Sequence, residues 1–257
     1  MEKSTSLLYR TIRGLVKLFY PKIEVVGAEK LPDEPFIVVG NHCQMNGPIA
    51  CELYFPGSRY IWCAGQMMHL KEVPAYAFQD FWSKKPKRIR WFYRFLSYII
   101  APFSVCVFNN AHTIPVYRDA RLMTTFRTSI EKLEQGSSLI IFPEHDKPYN
   151  NIICEFQDKF IDIARLHYKK TGKEACFVPL YLAPDLRQMH IGEAIRFNAD
   201  APIKEERQRI CSRLMAEITS MAYSLPEHKV VPYNNVPKRL YLSNIPGEAN
   251  ENETTCC

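Results

Sequence analysis

The sequence predicts an α/β fold in which helices cover a single mixed β-sheet. Short clusters of β-branched and aromatic residues alternate along the chain with helical patterns. The 257 residues are 47% hydrophobic and 23% charged, the balance of a globular domain with a sizeable core. No internal repeat is visible. This composition excludes collagen, coiled-coil and wholly disordered chains.

Residues 1–20 are expected to form a short amphipathic helix. Its apolar side chains recur at helical spacing, at Leu8, Ile12, Leu15 and Phe19. The opposite side carries Arg10, Arg13 and Lys17, and Pro21 ends the pattern. Either the apolar side lies in a membrane surface with the cations at anionic headgroups, or it packs on the following domain.

Residues 21–225 are predicted to form the main domain. The expected strands are Ile23–Val26, Phe36–Val39, Tyr60–Cys63, Thr113–Tyr117, Leu139–Phe142 and Phe177–Leu182. The expected helices are Pro48–Phe55, Ala120–Glu134, Phe156–Lys170 and Pro202–Tyr223, two of them closed by Gly136 and Gly172. Residues 226–257 are rich in Pro, Asn and Glu, so we expect a loosely ordered tail.

Charge and cysteine usage limit the classes of function. The net charge of +6 suits an anionic surface without demanding nucleic acid as a partner. Nine cysteines without a Cys-x-x-Cys pair, and no recognisable signal peptide, indicate a reducing, cytoplasmic compartment.

A basic and aromatic segment favours contact with lipid. Residues 82–94 interleave six cations with aromatic side chains and lead into an apolar run, residues 92–108. This composition suits a water–lipid interface, although a solvated surface beside a core helix, or a nucleic-acid groove, has similar ingredients. Arg94 and Pro102 interrupt the run, which is short for a spanning helix, so we expect the chain to lie on a membrane and not to cross it.

Four motifs follow or occupy predicted strands, where α/β sheets usually bind ligands. They are Gly40-Asn41-His42, Thr113-Ile-Pro-Val-Tyr-Arg118, Phe142-Pro-Glu-His-Asp-Lys147 and Phe177-Val-Pro179-Leu180. The third is expected to form one turn, and Pro179 indicates a sheet edge or a bulge. Each motif alone is a weak signal. A histidine after a strand is often a buried side chain with its hydrogen bonds made, and an arginine at a strand end often forms a surface ion pair.

In this order the motifs resemble those of the glycerolipid acyltransferases typified by 1-acylglycerol-3-phosphate acyltransferases. The resemblance covers about residues 20–225. It implies transfer of a fatty acyl group from a thioester, acyl-CoA or acyl carrier protein, to a hydroxyl of lysophosphatidate or a related lysophospholipid or glycerol phosphate. It also implies phospholipid synthesis or remodelling at the cytoplasmic face of a membrane, by a peripheral or monotopic protein. No metal or redox cofactor is required.

The resemblance assigns roles residue by residue. His42 is the expected general base, because an imidazole near neutral pKa can take the proton of an attacking alcohol. Arg118 is the expected ligand of the acceptor phosphate, with Lys147 where the family usually has arginine. Glu144, with Asn41 beside the base, is expected to orient the acceptor or the cations of the site.

Two positions depart from the family pattern. Gly47 stands where the family has the aspartate that follows the histidine, so the imidazole lacks its usual carboxylate. Asn46 and Asp146 are the favoured substitutes, ahead of Glu144 and the more distant Glu52. His145 replaces a glycine, and either reshapes the acceptor pocket or supplies a replacement acid or base.

Two other functions compete with acyl transfer. One is a non-catalytic lipid-binding protein that keeps the pocket without the aspartate. The other is a metal hydrolase using His42, His145 and Asp146, whose ligand spacing matches no recognised metal site.

Overall fold

The computed structural model describes residues 6–83, 85–117 and 119–246. The helices of this part are α1 (Leu7–Phe19), α2 (Asn46–Tyr54), α3 (Val73–Ala77), α4 (Arg90–Asn110), α5 (Leu122–Glu134), α6 (Asp162–Thr171) and α7 (Ile203–Ser224). The strands are β1 (Glu24–Val26), β2 (Ile37–Gly40), β3 (Arg59–Ala64), β4 (Thr113–Val116), β5 (Ser138–Ile141), β6 (Glu144–Pro148), β7 (Cys154–Phe156), β8 (Cys176–Ala183), β9 (Gln188–Ile191) and β10 (Ile195–Arg196). The predicted α/β class is confirmed.

The described residues divide into two compact units, one from residues 6–22 and 57–139 and the other from residues 23–56 and 140–246. The boundary between them falls within β5. The predicted division at residues 20 and 225 stays a prediction.

The second unit contains a mixed group of strands centred on β8. Parallel pairs join β2 to β8 and β1 to β9, whereas β9 and β10 both run antiparallel to β8. Residues 177–183 of β8 and all of β2 are buried, so both strands read as continuous apolar runs. Helix α7 packs on β8 and buries Ile210, Leu214 and Ile218, which recur at helical spacing in the sequence.

Pro179 lies inside the sheet and not at its edge. Within β8 it faces Val39 of β2, and its carbonyl accepts the Gly192 N–H at 2.9 Å. In a strand the N–H and C=O of one residue point to the same neighbouring strand. An N–H at position 179 would therefore point, like the carbonyl, toward the gap between β9 and β10, where no strand pairs with it. The proline thus costs the sheet no hydrogen bond. A Cβ on Gly192 would lie 2.8 Å from Pro179 Cγ, which explains the glycine opposite.

The third motif forms a strand where the sequence predicts a turn. β6 pairs antiparallel with β7, and the Asn150 side chain closes the hairpin by accepting the N–H groups of Ile152 and Ile153 at 2.9 and 3.1 Å. The pairing register shifts between Glu144 and Pro148. Glu144 bonds to His42 and Cys154, whereas His145 and Lys147 line a groove beside α7, so the strand separates Glu144 from these two neighbours.

The first unit pairs β3 with β4 in parallel and packs α3 against α4. Met67, Val73, Ala77 and Ala101 form a buried cluster there. The segment Lys87–Asn110 is long and apolar enough to cross a membrane by length and composition alone, and only 11% of its apolar window is buried. The apolar run 92–108 is interrupted by Arg94 and Pro102, so the sequence did not predict a helical segment as long as Lys87–Asn110.

Residues 226–246 pack on the second unit, although their composition predicts loose order. His228 is 5% exposed, and its ring nitrogens contact Tyr181 Oη and the Pro226 carbonyl, both at 2.8 Å. Asn244 accepts the His228 N–H and donates its amide to the carbonyls of Ala222 and Leu225. Composition does not predict this attachment, because the segment is held by hydrogen bonds of an amide and an imidazole side chain and not by a periodic pattern of apolar residues.

We predict that Asn244→Ala loosens residues 228–244 selectively. The substitution leaves buried carbonyls and an N–H without partners, at a cost of about 1–3 kcal/mol in the free energy of unfolding. Hydrogen exchange should accelerate across this segment while α7 keeps its protection. Asn235→Ala, at an exposed position of the same segment, is the matched control. Equal exchange in both variants would contradict the role of Asn244.

Candidate functional site

The Asn41 side chain extends the pairing of β2 with β8. It is 2% exposed; its Oδ1 accepts the Leu182 N–H at 2.7 Å, and its Nδ2 donates to the Leu182 carbonyl at 3.0 Å. The amide thus replaces one rung of backbone pairing and fixes the chain where β2 ends. A substrate contact of Asn41 stays a prediction, but its amide is already engaged by backbone and by Cys43 Sγ at 2.9 Å.

The backbone turns sharply just after His42. Cys43 and Gln44 both have left-handed φ angles, 48° and 56°. Such conformations of non-glycine residues cost of order 1–3 kcal/mol each and concentrate at functional sites. The turn is held from α2, because the Asn46 N–H and its side-chain Nδ2 both donate to the Cys43 carbonyl at 3.0 Å.

Gly47 fits the close approach of α2 to this turn. Its N–H donates to the His42 carbonyl at 3.0 Å. A Cβ at this position would lie 2.6 Å from the His42 carbonyl oxygen and 2.9 Å from that of Asn41. Backbone atoms do not yield as a flexible side chain does, so this position excludes the aspartate of the family pattern as well as alanine.

Glu144 binds the turn from the opposite side. Its Oε1 accepts the His42 N–H at 2.5 Å, and its Oε2 accepts the Cys154 N–H at 2.9 Å. Burial raises the pKa of this carboxyl to about 7, although the two backbone N–H groups oppose the shift. Glu144 therefore positions the backbone of His42 and joins it to β7.

The His42 imidazole is held by rings and not by a carboxylate. Phe142 and Tyr233 contact it edge-on, with ring centroids 5.3 and 5.6 Å away. Its Nδ1 is buried and has no hydrogen-bond partner among the described residues. Burial lowers the pKa of His42 below 6.5, although backbone groups of Gln44 and His42 act in the opposite direction. At pH 7 the ring is therefore neutral and able to accept a proton.

Neither favoured substitute for the missing carboxylate bonds to His42 Nδ1. The Asn46 amide nitrogen bonds to the Cys43 carbonyl, and Asp146 Oδ1 lies against His145 Nδ1 in an exposed ion-pair contact. His42, Asn41, Asn46 and Glu144 come together, whereas Asp146 engages its own neighbour.

His145 and Lys147 line a different part of the second unit. They face a groove of about 510 Å³ between the β6–β7 hairpin and α7, and His42 does not line it. The groove also receives Lys204 and Arg207, but Arg207 is already bound by Asp162 at 2.5–2.9 Å. A phosphate contact of His145 or Lys147 stays a prediction.

Arg118 lies outside the described residues, so its predicted phosphate contact stays a prediction. No group of three or more His, Cys, Asp or Glu side chains within residues 6–83, 85–117 and 119–246 is arranged to hold a metal ion.

Sequence reasoning missed two residues of this site. Tyr233 lies against His42, and the Gln44 side chain donates to the Asn234 carbonyl and to Tyr241 Oη, both at 3.1 Å. Gln44 follows the motif histidine by two residues, which is the only signal of its role. Nothing in the polar composition after residue 226 indicates that this segment contacts His42.

No protein-family model matches the chain, and no curated protein matches it. Among solved structures it is similar to the crystal structure of the 1-acyl-sn-glycerophosphate (LPA) acyltransferase PlsC from Thermotoga maritima. The two share 17% sequence identity and a TM-score of 0.45, over 83% of this chain and 79% of that chain. Such values decide nothing about activity, which depends on the side chains of this chain.

We predict that Gly47→Asp fails to supply a carboxylate to His42 and destabilises the fold. Its Cβ forces the His42 turn and α2 apart, at a cost of about 1–3 kcal/mol in the free energy of unfolding, measured by urea denaturation. Gly47→Ala adds the same Cβ and should lose a similar amount. A Gly47→Asp variant as stable as the native chain would contradict this account.

Proposed function

We propose that this protein is an acyltransferase that moves a fatty acyl group from acyl-CoA or acyl carrier protein to a hydroxyl of lysophosphatidate or a related lysophospholipid or glycerol phosphate. The observation that carries the proposal is a half-buried, neutral imidazole at the carboxyl end of β2, with its backbone fixed by Glu144 and followed by two left-handed residues. The motif order described above supplies the substrate class.

In the proposed reaction His42 acts as general base. The acceptor oxygen attacks the thioester carbonyl as the neutral imidazole takes its proton. A C–O bond forms, the C–S bond breaks, and the imidazolium returns the proton to the departing thiolate. The acceptor hydroxyl is converted to an ester and the donor to a free thiol.

The missing carboxylate lowers the expected rate. A carboxylate partner stabilises the imidazolium and selects its tautomer, and replacing it by an amide in a serine protease costs about 10⁴ in turnover. Among the described residues no carboxylate bonds to His42 Nδ1, and the Phe142 and Tyr233 rings pack against the imidazole. We therefore expect slow but measurable turnover.

We propose that cationic side chains bind the phosphate of the acceptor. Arginine matches the phosphate geometrically and lysine supplies a point charge, so Arg118 and Lys147 are the first candidates. His145 extends from the same strand face as Lys147.

The first unit supplies a surface suited to lipid, and we place the protein as peripheral or monotopic at a cytoplasmic membrane face. Large apolar side chains are exposed on α4, where Trp91 is 71% and Phe95 60% exposed, and on α1, where Phe19 is 82% exposed. Basic residues precede and interrupt the α4 face. Exposed apolar side chains beside cations suit the boundary between acyl chains and anionic headgroups.

A lipid-binding protein without turnover is the second candidate. The unpartnered Nδ1 of His42 and the closed space at Gly47 favour it, since both remove the usual source of imidazolium stabilisation. Such a protein would bind lysophospholipid equally well with or without the imidazole.

We predict that His42→Ala abolishes thiol release from a long-chain acyl-CoA that depends on lysophosphatidate. Loss of a general base lowers turnover by about 10²–10⁴. In the native protein the rate should fall as the pH drops below 6.5, because the ring must be neutral to accept a proton. The assay uses purified full-length protein in anionic vesicles, with folding checked by urea denaturation.

His167→Ala, a surface histidine of α6, is the matched control and should keep the native rate. Release that survives His42→Ala would refute the assigned base. If the native protein is inactive with acyl-CoA and acyl carrier protein, yet binds lysophosphatidate with or without His42, the lipid-binding candidate is correct.

We predict that Trp91→Ser combined with Phe95→Ser reduces co-sedimentation with anionic vesicles at least tenfold. Burying a large apolar side chain contributes about 1.5–3 kcal/mol, so the loss of two inserted side chains is easily measured. Met123→Ser, at a position 59% exposed on α5, is the control and should bind normally. Equal binding of the double variant and the native chain would remove this surface as the lipid contact.

A further inference from the structure

A loop from the C-terminal part of the chain covers the proposed base. Residues 231–242, hereafter the strap, leave and rejoin the second unit at one point, where the Val230 N–H donates to the Leu242 carbonyl at 2.8 Å. Two further contacts hold the ends of the strap together: the β-bridge between Lys229 and Ser243, and the hydrogen bond from the His228 N–H to Asn244. Loops of this length with adjoining ends are often functional.

The strap contacts two residues of the His42 turn. The Tyr233 ring meets the imidazole nearly perpendicularly, at an interplanar angle of 88°. The Gln44 side chain donates to the Asn234 carbonyl and to Tyr241 Oη. The turn is thus held from β6 by Glu144 and from the strap by these contacts.

This imidazole requires an orienting contact. A hydrogen-bonded carboxylate normally helps to fix the plane of such a ring. Among the described residues no hydrogen-bond partner meets Nδ1, and the Phe142 and Tyr233 rings pack steeply against the imidazole plane. Aromatic pairs in this geometry contribute about 0.5–1.5 kcal/mol beyond their burial, enough to favour one ring plane.

We propose that Tyr233 is a positioning residue for His42, holding the plane of the imidazole by ring packing together with Phe142. The catalytic consequence rests on the proposed function, whereas the orientation of the ring does not. Tyr233 also shields the imidazole from water, so its removal should return the His42 pKa toward 6.5. The titratable groups packed around the ring and its turn include Glu144 from β6 with Cys154 from β7, Cys43 from the turn, and Tyr233 and Tyr241 from the strap.

The test compares Tyr233→Ala with Tyr233→Phe in the full chain. Imidazole resonances of ¹⁵N-histidine-labelled protein give the His42 pKa and tautomer, with His42→Ala identifying the signal. Tyr233→Phe keeps the ring edge and should resemble the native protein in both. Tyr233→Ala should raise the His42 pKa and lower kcat about 10- to 100-fold, with KM for the thioester little changed. Tyr168→Ala, an exposed ring on α6, is the matched control.

Unchanged His42 resonances in Tyr233→Ala would overturn the proposal, as would a Tyr233→Phe variant as impaired as Tyr233→Ala. If the resonances change as expected while even the native protein releases no thiol, the positioning role holds and the proposed acyl transfer fails. Should Tyr233→Ala not fold, Tyr233→Leu retains apolar volume without the ring edge and is judged by the same resonances.

Discussion

The arrangement of the site depends on one buried carboxylate. Glu144 accepts two backbone N–H groups, one from His42 and one from Cys154, and so joins two segments that are distant in sequence. A carboxylate in this position incurs a desolvation cost, visible as a pKa raised to about 7, that only its hydrogen bonds offset. Without it the left-handed turn after His42 would lose its anchor on the β6 side.

The close approach of α2 to this turn has a chemical consequence. Because Gly47 leaves no space for a side chain, the local packing excludes a carboxylate at position 47 itself. The ring remains half-buried and neutral, and its Nδ1 has no hydrogen-bond partner among the described residues. Aromatic packing from Phe142 and Tyr233 then holds the plane of the ring.

The strand geometry of β6 separates the polar residues of its motif. Glu144 faces the His42 turn, whereas His145 and Lys147 face α7. Residues adjacent in sequence thus serve two surfaces, one that holds the base and one lined by cations and carboxylates.

The sequence by itself determined the α/β class, most strands and helices, and the position of His42 at a strand end, because these follow from local periodicity and from Gly and Pro signals. It also placed Glu144 in the site, though not its bonds. Only the tertiary structure decided that Asn46 and Asp146 bond elsewhere, that β6 splits its motif, and that Tyr233 reaches His42. The last contact joins residues 191 positions apart through side-chain hydrogen bonds at Gln44, His228 and Asn244. Such long-range hydrogen bonds produce no periodic pattern in a sequence. Composition therefore predicted a loosely ordered tail for a segment that contributes Tyr233 to the site.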